Sequence, residues 1–207
     1  MASPMGAWDR GLQRHRSGKS EGMRIRFLSG NVHKIVEASA ILDAAMVEVV
    51  PVNIEIPELQ TPDIELMVRD KTLKAFDTLG HPLFVEQTGL YLDRMGGFPG
   101  GLTRVFWDSL GPDKMCQLFG AGSETGVVAR TRIGYCDGRK IYQFEGCIRG
   151  RIAEQPRGDR RFQWDCVFIP EDHDLTFAEL GKRKNEISMR RRALDAFAAH
   201  LKEKAHA

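Results

Sequence analysis

No stretch of this 207-residue chain is long and apolar enough to span a bilayer. The longest hydrophobic runs fall far short of the roughly 20 residues a membrane helix needs, and no signal-peptide core follows the first methionine. Cysteine is scarce. Cys116, Cys136, Cys147 and Cys166 lie far apart and never as CxxC, which argues against a zinc knuckle or a dithiol motif and for reduced thiols in a cytoplasmic protein. Charge of one sign is also missing: the formal net charge is +2, too small to suit a nucleic-acid polymer or a membrane surface. A small anion needs only a local cluster of cations, so it stays open. No low-complexity block, internal repeat or GxxxxGK[ST] phosphate loop is present.

What remains is ordinary globular material, 42% hydrophobic and 28% charged, enough for one domain with a layered core. Residues 1–22 carry Gly, Ser, Arg and His without apolar periodicity and are expected to form a flexible extension. Its Arg10, Arg14, Arg16 and Lys19 leave nucleic-acid contact as a minor alternative. The folded domain is expected over 23–207. Strands are predicted at Arg24–Leu28, Val47–Val52, PLFVE (82–86) and CVFIP (166–170). Val32, Ile35, Val36, Ser39 and Leu42 repeat at helical spacing, and residues 64–79 form a second helix with Ile64, Met67, Val68, Leu73, Ala75 and Phe76 on its apolar face. GGFPGG (96–101) is a loop, followed by short helices over Thr103–Leu110 and Pro112–Phe119. VVARTRIGYC and KIYQFEGCI flank Asp137-Gly138, a pair suited to a type I′ hairpin turn. Ile187, Leu194, Phe197, Ala198 and Leu201 mark a closing helix. Strands mixed with helices around a hairpin define an α/β fold with a mixed sheet.

In RIRFLSGNVHK, residues Ser29, Gly30 and Asn31 sit between a strand and a helix N-terminus. Free backbone N–H groups and the helix dipole suit a phosphate there, with Lys34 one turn along to add charge. Ser-Gly-Asn is equally a good helix cap, so the segment alone leaves both readings open.

Seven segments in one order carry a family resemblance: SGNVHKIVE, IPE (56–58), FVEQTGLYLDRMGGFPGG, PRG (156–158), FQWDCVF (162–168), TFAEL (176–180) and KNEISMR (184–190). From about Arg24 to Leu201 the chain resembles the inosine triphosphate pyrophosphatase family, whose members act on deaminated purine nucleotides such as ITP, dITP and XTP. The resemblance implies a two-lobed α/β fold with an elongated mixed sheet, a nucleotide cleft between the lobes, a homodimer, and Mg²⁺-dependent cleavage between the α and β phosphates. It places Ser29, Gly30, Asn31, Lys34, Lys71, Thr88 and Arg104 around the triphosphate. Glu58 and Glu86 fall at metal-binding positions. Phe162 and Trp164 fall against the purine, and Asp165, Lys184, Ser188, Met189 and Arg190 at its edges. Each has a plainer role open to it: core aromatics for Phe162 and Trp164, solvated helix charges for Lys71 and Arg104, a cap for Glu58.

The chain departs from that pattern where the chemistry is expected. Gln87 stands at the position of the second acid, which binds Mg²⁺ and activates water. An amide does not take a proton from water near neutral pH. Met189 replaces a His, Gln163 a Gly and Cys166 a Pro. The expectation is therefore a protein that binds dITP, ITP or XTP with lost or weakened hydrolysis, a nucleotide sensor acting on an effector protein, as in an antiviral defence complex. The alternative is an active Mg²⁺-dependent pyrophosphatase releasing a monophosphate and pyrophosphate.

Overall fold

The computed structural model describes residues 23–205; the expected extension over 1–22 lies outside them. β1 (Met23–Leu28) runs parallel to β2 (Val47–Val52) and to β3 (Leu83–Leu92). β3 pairs antiparallel with β5 (Gly126–Cys136), β5 with β6 (Ile141–Ile152), and β6 with β7 (Phe168–Pro170). The order is β2-β1-β3-β5-β6-β7, with β4 (Pro99–Gly100) attached to β3. This is the expected mixed sheet.

Period-two alternation along β3 divides two layers. Phe84 packs with Ala38 and Leu42 of α1 (Val32–Asp43) and with Leu194, Phe197 and Leu201 of α6 (Met189–Ala205). Leu83 and Val85 pack on the other side with Ile64, Val68 and Ala75 of α2 (Ile64–Leu79). Farther along the sheet, Leu90, Leu92, Val127, Ala129 and Ile148 join Met115, Trp164, Phe168 and Phe177 in a second core. The sheet thus runs through two lobes, and β3 crosses from one to the other.

Several expectations change in detail. β3 extends six residues past PLFVE because Gln87–Leu92 continue to pair with Val127–Arg132. GGFPGG is not all loop: Tyr91 and Leu90 pair with Pro99 and Gly100. Gly89 permits this, because a Cβ there would lie 2.4 Å from the Gly100 carbonyl oxygen. α3 (Thr103–Phe119) is broken at Gly111, so the two expected helices abut. The hairpin between β5 and β6 closes with Cys136 opposite Ile141, a four-residue loop rather than a two-residue type I′ turn. The Asp137 carboxylate accepts the N–H groups of Arg139 and Lys140 at 2.8 Å and organises that loop. After the short α4 (Phe177–Leu180), Ile187 ends the one-turn α5 (Lys184–Ile187) instead of starting the closing helix. Leu73 is exposed, as are Val32 and Val36; the inward face of α1 is Glu37, Ala38 and Leu42. No helix among the described residues is long and apolar enough to cross a membrane.

Candidate functional site

Between the lobes lies a cleft of about 490 Å³. The β1–α1 junction supplies Ser29, Gly30, Asn31 and Lys34; the segment before α2 supplies Glu58, and α2 itself Lys71. β3 gives Glu86, Gln87 and Thr88, and α3 gives Thr103, Arg104 and Trp107. The far lobe gives Phe162, Gln163, Trp164, Asp165 and Lys184, and the start of α6 gives Met189 and Arg190. Of the residues expected around the nucleotide, Ser188 does not line it, its hydroxyl accepting the N–H of Arg191 at the start of α6; nor does Cys166, which is buried in the second core.

The entrance of α1 satisfies both readings of Ser-Gly-Asn. Asn31 caps the helix, its side-chain oxygen accepting from the N–H groups of His33 and Lys34 at 3.0 and 3.2 Å, while the Ser29 hydroxyl accepts that of Asn31. Those donors are already engaged, so attraction for an anion rests mainly on cationic side chains. Five cations and three carboxylates line the cleft, an excess of two positive charges.

Alternation along β3 sends Glu86 and Gln87 to opposite faces. Glu86 turns toward α1 and α6, where Arg190 Nε donates to both of its oxygens at 3.0 Å and Lys34 Nζ lies 3.2 Å away. Arg190 Nη1 donates in turn to Glu37 Oε2 at 2.9 Å. The Arg190, Glu86 and Glu37 side chains are all less than a tenth exposed. Burial pushes the Glu86 carboxyl up, but Arg190 and Lys34 outweigh it and hold its pKa at about 2. Burial, with Arg190 and Lys71 nearby, draws the Lys34 ammonium down against the pull of Glu86. Glu86 is therefore an ionised structural anion. Its oxygens accept from Arg190, Lys34 and the Thr88 hydroxyl.

Gln87 faces the α2 side with its cross-strand partner Arg132. Glu58 pairs with Lys71, and its side chain is one-third exposed. Lys184 Nζ donates to Asp165 and lies 4.4 Å from the centre of the Phe162 ring, which meets the His33 ring at a right angle. Burial raises the Asp165 carboxyl even with Lys184 beside it. Trp164 is buried against Phe168 and Phe177, a core aromatic whose residue also reaches the cleft wall. Gln163 holds a φ of +42°, a backbone conformation that glycine adopts with less strain. Arg104 is exposed and 3.7 Å from Asp108.

Sequence reasoning passed over Glu37 and His33. Helical geometry held the signal, since Glu37 follows Lys34 by three residues and shares its face. Among the described residues no group of three or more His, Cys, Asp or Glu is placed to hold a metal by itself.

The structure is thus a two-lobed α/β sheet with a cation-lined cleft between its lobes. A model of the Ham1 family matches residues 25–200, and the chain belongs to that family. It is 38% identical over 87% of its length, and 97% of the relative's, to a dITP/XTP pyrophosphatase of Methanopyrus kandleri. It is 36% identical to inosine triphosphate pyrophosphatase 1 of Trypanosoma cruzi, over 88% and 94% of the two chains. Among solved structures, the Staphylococcus aureus Ham1 protein superposes with a TM-score of 0.70 at 21% identity, over 87% of this chain and 99% of that one. The expected family and fold are therefore those found.

Proposed function

We propose that this chain is a pyrophosphatase for deaminated purine nucleoside triphosphates of the dITP/XTP kind, cutting the α–β phosphoanhydride to give a monophosphate and pyrophosphate. The observation that carries this reading is the gathering of Lys34, Lys71, Arg104, Lys184 and Arg190 around one cleft, in a chain whose relatives bear that activity in their names. The active enzyme, the alternative in the sequence reading, thus becomes the leading one.

A triphosphate brings about four negative charges, twice the cleft's excess of cations. A divalent cation supplies the missing two, and Mg²⁺ is commonly held by one or two carboxylates plus substrate phosphates. Glu58 suits that arrangement, as a partly exposed carboxylate at the cleft wall, with the Gln87 amide oxygen as a weak second ligand. Bound there, Mg²⁺ would polarise the phosphates and offset charge on the departing pyrophosphate. Lys34, Lys71 and Arg104 orient the phosphate chain. A water oxygen bonds to the α phosphorus as the bond to the bridging oxygen breaks, and the bridging electrons leave with pyrophosphate. The water proton passes to solvent at the open side of the cleft, since Glu86, Asp165 and Glu58 are each paired with a cation, Arg190, Lys184 and Lys71.

Gln87 favours a second reading, a slow or inactive homologue that senses its nucleotide and signals through a homodimer or an effector protein. Pyrophosphate release from dITP with Mg²⁺, measured beside calorimetric binding, separates the two. Turnover supports the enzyme; tight binding without turnover supports the sensor; neither binding nor turnover across dITP, ITP and XTP ends both.

A further inference from the structure

Thr88 of β3 and Thr131 of β5 stand directly opposite each other across the two strands, and their hydroxyl oxygens lie 2.7 Å apart. Thr131 is fully buried, with the Thr88 hydroxyl as its side-chain partner. Thr88 borders the cleft beside Gln87, and its hydroxyl donates to Glu86 Oε1 at 3.3 Å. The directions of these bonds follow from counting hydrogens. Glu86, clasped by Arg190 and Lys34, is a carboxylate, and a carboxylate only accepts. The single hydroxyl hydrogen of Thr88 is therefore committed to Glu86. The 2.7 Å contact then needs the hydrogen of Thr131, so Thr131 donates and Thr88 accepts. A hydroxyl oxygen has two lone pairs. Thr131 takes one, and the other is left for whatever the cleft holds. Toward a ligand, Thr88 is an acceptor.

Resting on the proposed function, we infer that Thr131 fixes the Thr88 hydroxyl in this sense, and that Thr88 Oγ1 accepts a hydrogen of the attacking water and holds that water at the α phosphorus. A phosphate oxygen of the ionised triphosphate brings no hydrogen and would set lone pair against lone pair. Thr88 thus serves the nucleophile rather than gripping the phosphate chain. Its place suits that task, since it shares the cleft with Lys71 and Arg104, which orient the phosphates. Nothing is transferred to Thr88, because an alcohol oxygen is too weak a base to keep a proton. The hydrogen it holds stays with the oxygen that joins the phosphorus, and the other leaves to solvent. The contribution is orientation, the part of the barrier that a positioned water removes without a general base. Thr131 touches no reacting atom and is a positioning residue.

Thr88→Val removes the acceptor and keeps a β-branched side chain suited to a strand. Kinetics with dITP and Mg²⁺ should show kcat lowered about ten- to a hundredfold, with calorimetric affinities for dITP and inorganic tripolyphosphate unchanged. Thr88→Ser, which keeps the hydroxyl, should recover most of the loss. A wild-type kcat in Thr88→Val, or a tripolyphosphate affinity that falls in step with kcat, overturns the inference and leaves the proposed function standing. Wild-type protein that shows no turnover overturns the proposed function and this inference together. Thr131 carries the test if Thr88→Val does not fold. Thr131→Val leaves Thr88 in place and takes away the donor that sets its direction, so kcat should fall about two- to tenfold with KM unchanged. Thr131→Ser keeps that donor and should recover most of the rate. Thr131→Val at the wild-type rate, or Thr131→Ser as slow as Thr131→Val, overturns the inference.

Discussion

Arg190 and Glu86 stand 104 positions apart in the chain, yet the Arg190 guanidinium Nε donates to both Glu86 carboxylate oxygens at 3.0 Å in the buried floor between the lobes. The pair joins the start of the closing helix to the middle of β3. It gives the Glu86 carboxylate a partner inside the protein, while the Glu58 side chain stays one-third exposed at the cleft wall.

Gln87→Asp should raise pyrophosphate release from dITP. A carboxylate at this position adds a proton acceptor and a strong metal ligand, and general-base groups typically contribute about 10²–10⁴ in rate. Single-turnover kinetics with saturating Mg²⁺ checks this, and a variant no faster than wild type would show that the water is activated without the side chain at 87.

Arg190→Met should destabilise the fold by about 3–5 kcal/mol, because it leaves Glu37 a buried, uncompensated anion and Glu86 with Lys34 as its remaining cation. Urea unfolding measures the loss. The combination Glu37→Gln, Glu86→Gln and Arg190→Met should recover part of it, since neither carboxylate then carries a charge, and Lys34, left without Glu86, limits the recovery.

Acid should weaken the molecule through Glu86. Its folded pKa of about 2 lies below the usual 4.5, so its ion pair contributes full stability above about pH 4.5 and loses it as the pH falls toward 2. Unfolding midpoints followed across that range should decline, and the decline should be shallower in Glu86→Gln.

Lys71→Met should weaken tripolyphosphate and dITP binding together, by about tenfold, as expected for one charge-assisted contact. The dITP-to-dATP ratio should not move, because Lys71 projects from α2 beside Glu58, while the aromatic residues of the cleft come from the Phe162–Trp164 segment and Trp107. Competition binding with both nucleotides reads the two effects separately.

Much of this protein is local and therefore written in the order of its residues. Strands at Met23–Leu28 and Val47–Val52, the helix at Ile64–Leu79 and the hairpin around Asp137 follow from alternation, helical spacing and turn chemistry. The motif segments identified the family and nearly all the residues lining the cleft. Tertiary packing decided what those residues are free to do. Glu86 and Glu58 are equivalent carboxylates in a motif, but β-strand alternation turns one into the Arg190 guanidinium and leaves the other at the cleft wall beside Lys71. Glu37 meets Arg190 across 153 positions, a contact that exists only once α1 and α6 pack on the same face of the sheet. Charge and hydrogen-bonding capacity belong to the residue; whether they are spent or available depends on neighbours brought together from distant parts of the chain, and chain order alone does not reveal them.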